Sequence, residues 1–114
     1  MKPRDPRTAL QTVLEAGEAI LEAVAGVTFA EYVSSRYVRP TVERHFITVG
    51  EALNDALRLE PALEHRITAA REIVDFRNVL AHDYSVIYSQ AVWDIIDNDL
   101  PRLLAEVRAL LTPP

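Results

Sequence analysis

From Thr41 to Arg58 the apolar residues recur with a helical period. At about 100° per residue, Val42, Phe46, Val49, Gly50, Leu53, Ala56 and Leu57 fall in one arc, and Glu43, Arg44, Glu51, Asp55 and Arg58 lie opposite. A segment with that stripe is stable only when the stripe is covered, so the chain must pack helix against helix. The same period appears in Leu10, Val13, Leu14, Gly17, Ile20, Leu21 and Val24, after an Asp5-Pro6 start signal and before Gly26 as a stop. Thr28-Phe29-Ala30-Glu31 has the capping-box pattern and predicts a short second helix to about Ser35. Pro40 separates the third segment. Glu60-Pro61 restarts the chain into a fourth helix reaching about Leu80. Ser89 can cap a fifth, carrying Trp93, Ile96, Leu100, Leu103, Leu104, Val107 and Leu111, which Pro101 should kink or divide.

Only 3 Gly and a strong Ala/Leu/Glu/Arg bias also favour helices over strands. The expected fold is therefore all-α, an up-and-down bundle of four to five helices joined by short connections. With 114 residues, the expectation is a single domain over 1–114, of which residues 1–6 form a flexible Pro/Arg-rich lead. There is no cysteine, which excludes disulfides and thiolate metal sites and fits a reducing cytoplasm. No stretch has the 18 or so apolar residues of a membrane span, so no membrane partner is expected. A net charge of −5 argues against a broad nucleic-acid surface, so any RNA contact must be local. Eleven of the twelve basic residues are Arg, whose planar fork matches a phosphate with two parallel hydrogen bonds.

The fourth helix holds an anomaly. Ala70, Ile73, Val74, Phe76, Leu80 and Ala81 form its apolar arc, and Arg77 falls inside it. A permanently charged guanidinium there requires a carboxylate, carbonyls, a subunit boundary or an anionic ligand; an internal ion pair, or a side chain snorkelling to the helix end, is the simplest reading. His82, five residues on, lies about 140° around the axis, on the side of Asn78. The two converge on one substrate only if the helix ends near Leu80 to Ala81 and the chain turns, or if two subunits each contribute a motif across a twofold axis.

Arg77-Asn78-Val79-Leu80-Ala81-His82-Asp83-Tyr84 resembles the signature of HEPN-domain ribonucleases of the HepT type: Arg, a polar residue, three more, His, any residue, Tyr. The similarity runs from about Leu10 to Leu111, through Thr28-Phe29-Ala30-Glu31-Tyr32, Ile47-Thr48-Val49-Gly50-Glu51-Ala52 and the final helix from Ala91-Val92-Trp93 to Asp99-Leu100-Pro101. The tract from Asp83 to Ser89 is less acidic than the family pattern suggests. The resemblance implies a HEPN-like bundle acting as a homodimer, with two motifs facing each other in a cleft that cuts RNA without metal or other cofactor. It also implies a toxin of a type VII-like toxin–antitoxin pair, whose partner is a minimal nucleotidyltransferase antitoxin that adenylylates the motif tyrosine (AMPylation), here Tyr84. Arg77 and His82 are then the catalytic pair, with Asn78 and Tyr84 supporting.

Arg36, Arg39, Arg44 and His45 gather near the start of the third helix; a solvated polar face is the simplest account, a longer RNA groove the alternative. His65 with Glu60 and Glu64 has a metal-like composition but no third convergent ligand, so no metal site is expected. Ile47 and Val79 lie outside the apolar arcs, as residues of a dimer seam would. The main rival function is a non-catalytic helical subunit that presents substrate or nucleotide to a nucleotidyltransferase, with Arg77 and His82 holding phosphate.

Overall fold

The structure, a computed structural model, describes residues 5–82 and 86–113; the side chains of Val79 and of residues 81–88 also lie outside the described set. Among the described residues there are six α-helices, one 3-10 turn and no strand. They are α1 (Pro6–Val24), α2 (Phe29–Ser34), α3 (Val38–Leu59), the turn Pro61–His65, α4 (Ala70–His82), α5 (Val86–Asp97) and α6 (Asp99–Leu111). The all-helical bundle expected from the period of the apolar residues is what forms.

The start signals of α1 and α2 act as read. Asp5 accepts the backbone N–H of Arg7 at 2.8 Å with Pro6 in the first turn of α1. Thr28 and Glu31 exchange both bonds of the capping box, at 3.2 and 2.9 Å, and this holds the Glu31 carboxyl below its ordinary range. Gly26 follows α1 at φ 75°, a conformation glycine adopts without steric cost.

Four boundaries differ from expectation. Pro40 does not separate elements but sits inside the first turn of α3, where a missing N–H costs nothing because that N–H has no intrahelical acceptor. The entry to α3 is held instead by Ser35, whose Oγ accepts from the backbone N–H of Tyr37 and Val38 at 3.2 and 2.9 Å. The segment after Pro61 makes only a 3-10 turn, and α4 begins at Ala70, because Ala69 takes a left-handed φ of 57° that no α-helix can contain. Glu106 of α6 secures that corner, accepting from the Thr68 N–H at 3.1 Å and its hydroxyl at 2.8 Å. Finally, α5 begins at Val86 rather than at Ser89, and the division expected of Pro101 falls at Asn98, three residues ahead of it.

α1 and α3 form the central pair; α4 covers α3, and α6 covers α1. The core is built from the predicted stripes, with Val13, Ile20, Val42, Val49, Leu53, Ala56, Leu100, Leu104 and Val107 all buried. Trp93 of α5 ties α2 into the bundle by packing against Phe29 and Tyr32, ring centroids 5.9 and 5.2 Å apart. No helix among the described residues is long and apolar enough to cross a membrane.

Candidate active site

α3 and α4 touch near residues 46–50 and 76–80, well away from their connection on both sides, so they run antiparallel and present Arg77 across from Gly50. A Cβ built on Gly50 would lie 2.8 Å from Cβ of Arg77, 3.3 Å from its Cδ and 3.4 Å from its Cγ. The aliphatic stem of Arg77 therefore rests on bare backbone, and the residue is half-buried inside the apolar arc that contains Ile73, Val74 and Leu80. Among the described residues its guanidinium forms neither an ion pair nor a hydrogen bond. Other arginines are engaged: Arg39 with Glu43 at 2.9 Å, Arg71 with Glu64 at 2.6 Å and Arg102 with Asp99 at 3.0 Å. The internal ion pair, the simplest reading of the anomaly, does not form with any described carboxylate. What stands there is a positioned cation whose donors are uncommitted among the described residues, an arrangement suited to an oxyanion.

Asn78 follows on the exposed side of α4. α4 continues through His82 instead of ending near Leu80 to Ala81. Positions 77 and 82 are thus about 7.5 Å apart along one helix and about 140° around it. The His82 side chain and Tyr84 lie outside the described residues.

Next to the Arg77–Gly50 crossing, a cavity of about 420 Å³ opens between α3 and the last part of α4, lined by Pro40, Thr41, Glu43, Arg44, Ile47 and Leu80. Leu80 belongs to the Arg77–His82 segment. Ile47, outside the apolar arc in sequence, is a half-buried wall of this cavity. Of the basic cluster, Arg39 is committed to the buried Glu43, Arg36 and Arg44 are exposed, and His45 is half-buried. Sequence reasoning missed both Gly50 as the seat of Arg77 and the cavity; the only signal was a glycine inside a helical apolar arc, where nothing but a close neighbour favours it over alanine.

Behind Glu43 lies Tyr32, fully buried, whose hydroxyl has no hydrogen-bond partner among the described residues. Burial pushes its phenol well above the ordinary tyrosine range; the Glu43 carboxylate adds to this and Arg39 offsets part of it. Since the folded value exceeds the unfolded one, the native state holds this proton more tightly, and stability should fall as pH rises above about 10. Tyr32→Phe removes an unpaired buried hydroxyl at nearly constant shape, so it should be neutral or stabilise by up to about 1 kcal/mol and flatten that alkaline decline. Thermal melts at neutral and alkaline pH check this; a clear loss of stability at neutral pH would show that the hydroxyl has a partner.

The sequence matches the model of the ribonuclease HepT-like family over residues 13–110. It is 27% identical over 108 residues to a protein of Caldanaerobacter subterraneus subsp. tengcongensis named as a candidate RNase, covering 95% of this chain and 96% of that one. A second candidate RNase, from Methanocaldococcus jannaschii, is 28% identical over 111 residues, covering 94% and 97%. No solved structure gives a significant match.

Proposed function

This chain belongs to the HepT-like ribonuclease family, and from that premise we propose that it is a metal-independent RNA endonuclease in which Arg77 and His82 carry the chemistry. The observation that carries the reading is Arg77 itself: half-buried, seated on Gly50, its guanidinium paired with no described carboxylate, on the same helix as His82.

The nucleophile is the substrate's own 2′-hydroxyl. Its oxygen attacks the adjacent phosphorus while the bond from phosphorus to the 5′-oxygen breaks, leaving a 2′,3′-cyclic phosphate and a 5′-hydroxyl. Imidazole suits both proton transfers: the neutral ring of His82 takes the 2′-hydroxyl proton, and an imidazolium returns one to the leaving oxygen. Arg77 binds two phosphate oxygens and tightens as charge builds on them. Asn78, four residues before His82 and on the same face of α4, orients the imidazole.

Because α4 runs on through His82, one helix does not turn its two ends toward one phosphate, and the reading calls for a homodimer in which Arg77 and the partner subunit's His82 meet in a cleft. In the cell, we place the protein in the cytoplasm as the toxin of a toxin–antitoxin pair, silenced by a minimal nucleotidyltransferase that transfers AMP to Tyr84. The added phosphate and its bulk would then stand where RNA has to bind.

The direct test is incubation of single-stranded RNA with purified protein in EDTA, followed by analysis of the ends. Cyclic phosphate and 5′-hydroxyl products are expected; intact RNA, or cleavage that needs added metal, rejects the proposal, and RNA bound but uncut would point to the non-catalytic subunit instead. For the regulation, intact-mass measurement after incubation with ATP and the cognate transferase should show added AMP on the wild type and none on Tyr84→Phe. Silencing of an unmodified protein by the transferase would replace modification with simple binding.

A further inference from the structure

Tyr37, Thr41, Arg44 and Ile47 follow one another at intervals of three and four residues, so they form one strip along the first part of α3, about 15 Å long. Two of its residues carry distinct chemistry. Tyr37 is 81% exposed, the only large apolar side chain left that open among the described residues, and its backbone is fixed by the bond to Ser35. Arg44 is exposed, and among the described residues its guanidinium has no ion pair or hydrogen bond, the adjacent Glu43 being engaged by Arg39 at 2.9 Å. Thr41, Arg44 and Ile47 of the strip line the 420 Å³ cavity whose opposite wall is Leu80, within the Arg77–His82 segment.

An exposed aromatic ring, an uncommitted arginine and an apolar wall in sequence are what an unpaired nucleic-acid strand uses: stacking for a base, a fork for a phosphate, a dry surface for sugar and base faces. Charge distribution points the same way. The protein carries 12 basic against 17 acidic residues, so a strand can approach only where cations are locally unopposed. Another cavity among the described residues, about 370 Å³ between the start of α4 and α5, is rimmed by Glu72, Asp94 and Asp99 and repels phosphate.

We propose that this strip of α3 is the track that holds single-stranded RNA next to the bond to be cut, with Tyr37 stacking on a base and Arg44 binding a flanking phosphate. The assignment rests on the nuclease reading for its purpose, while the binding it describes can be measured separately. Double-stranded RNA is a poor ligand for it, because paired bases leave no free face for Tyr37.

The experiment uses the full chain and a labelled single-stranded 2′-O-methyl oligoribonucleotide, which lacks the nucleophilic hydroxyl and stays intact. Tyr37→Ala should weaken binding about five- to a hundredfold and Tyr37→Phe should restore it. Arg44→Ala should weaken binding at least about fivefold and lower the slope of log affinity against log salt by about one. On cleavable RNA both variants should raise KM with kcat largely kept, unlike Arg77→Ala. Unchanged binding in both Tyr37→Ala and Arg44→Ala overturns the track while leaving the nuclease reading intact if RNA is still cut. Binding that depends on the two residues in a protein that cuts nothing keeps the track and removes the nuclease. A protein that neither binds nor cuts RNA removes both. Loss of affinity accompanied by a change in molar mass by light scattering would assign the strip to a subunit interface and overturn the proposal.

Discussion

Arg77→Ala is expected to fold normally and to cleave RNA at least about a hundredfold more slowly in EDTA. Removing one preorganised donor to a developing oxyanion typically costs a hundred- to a thousandfold, and a bidentate cation supplies two such bonds with full charge. Stability should change little. Breaking a buried ion pair costs several kcal/mol because the surviving charge is stranded, but Arg77 has no described carboxylate partner to strand, and its stem lies against the bare backbone of Gly50. Arg77→Lys keeps the charge and loses the fork, so it should recover part of the rate at best. His82→Ala removes the proton carrier and should fall by a hundred- to ten-thousandfold under the same conditions. Initial rates on a fluorescent oligoribonucleotide, with circular-dichroism melts of each variant, decide the matter. Wild-type rates in either alanine variant would reject the catalytic assignment, and a large drop in melting temperature for Arg77→Ala would return that side chain to the bundle as a structural residue.

The helical architecture was legible because a stripe of period 3.6 can be buried in only one way, and the stripes read from Val42 to Leu57 and from Leu100 to Val107 are the residues now in the core. Boundaries were less so. Proline at position 40 reads as a breaker only when its place within the helix is unknown, and in the first turn it breaks nothing. The left-handed Ala69 that delays α4 carries no local signature, since alanine is the strongest helix former and its φ is imposed by the corner that Glu106 holds from α6. At the candidate site, Arg77 announced itself as a charge among apolar neighbours. The seat beneath it did not, because Gly50 and Arg77 are adjacent only after α3 and α4 have packed. Arg44 looked like one of four interchangeable basic residues until the fold committed Arg39 to Glu43 and opened a cavity beside Arg44.

Gly50→Ala separates the packing of the site from its chemistry. In an exposed helix this substitution stabilises by about 1 kcal/mol, because alanine loses less backbone entropy than glycine. Here the new methyl would stand 2.8 Å from Cβ of Arg77, an atom that cannot rotate away, so α4 must move bodily from α3. Overpacking of this kind costs about 1–3 kcal/mol, which outweighs the helical gain, and a net loss of up to about 2 kcal/mol is expected. The kinetic effect should be larger than the energetic one. Displacing a catalytic group by about 1 Å can cost a hundredfold, so a folded Gly50→Ala protein should cleave RNA roughly ten- to a hundredfold more slowly. Gly17→Ala is the matched control: its methyl would collide with the buried Leu104 side chain, in the α1–α6 contact rather than the α3–α4 contact that seats Arg77. It should lower the melting temperature similarly and leave the rate of the folded protein unchanged. Equal losses of rate in the two variants would mean that activity follows global stability. A Gly50→Ala protein that melts higher and cuts at the wild-type rate would mean that α3 does not hold Arg77 in place, and the preorganised cation on which the catalytic reading depends would be gone.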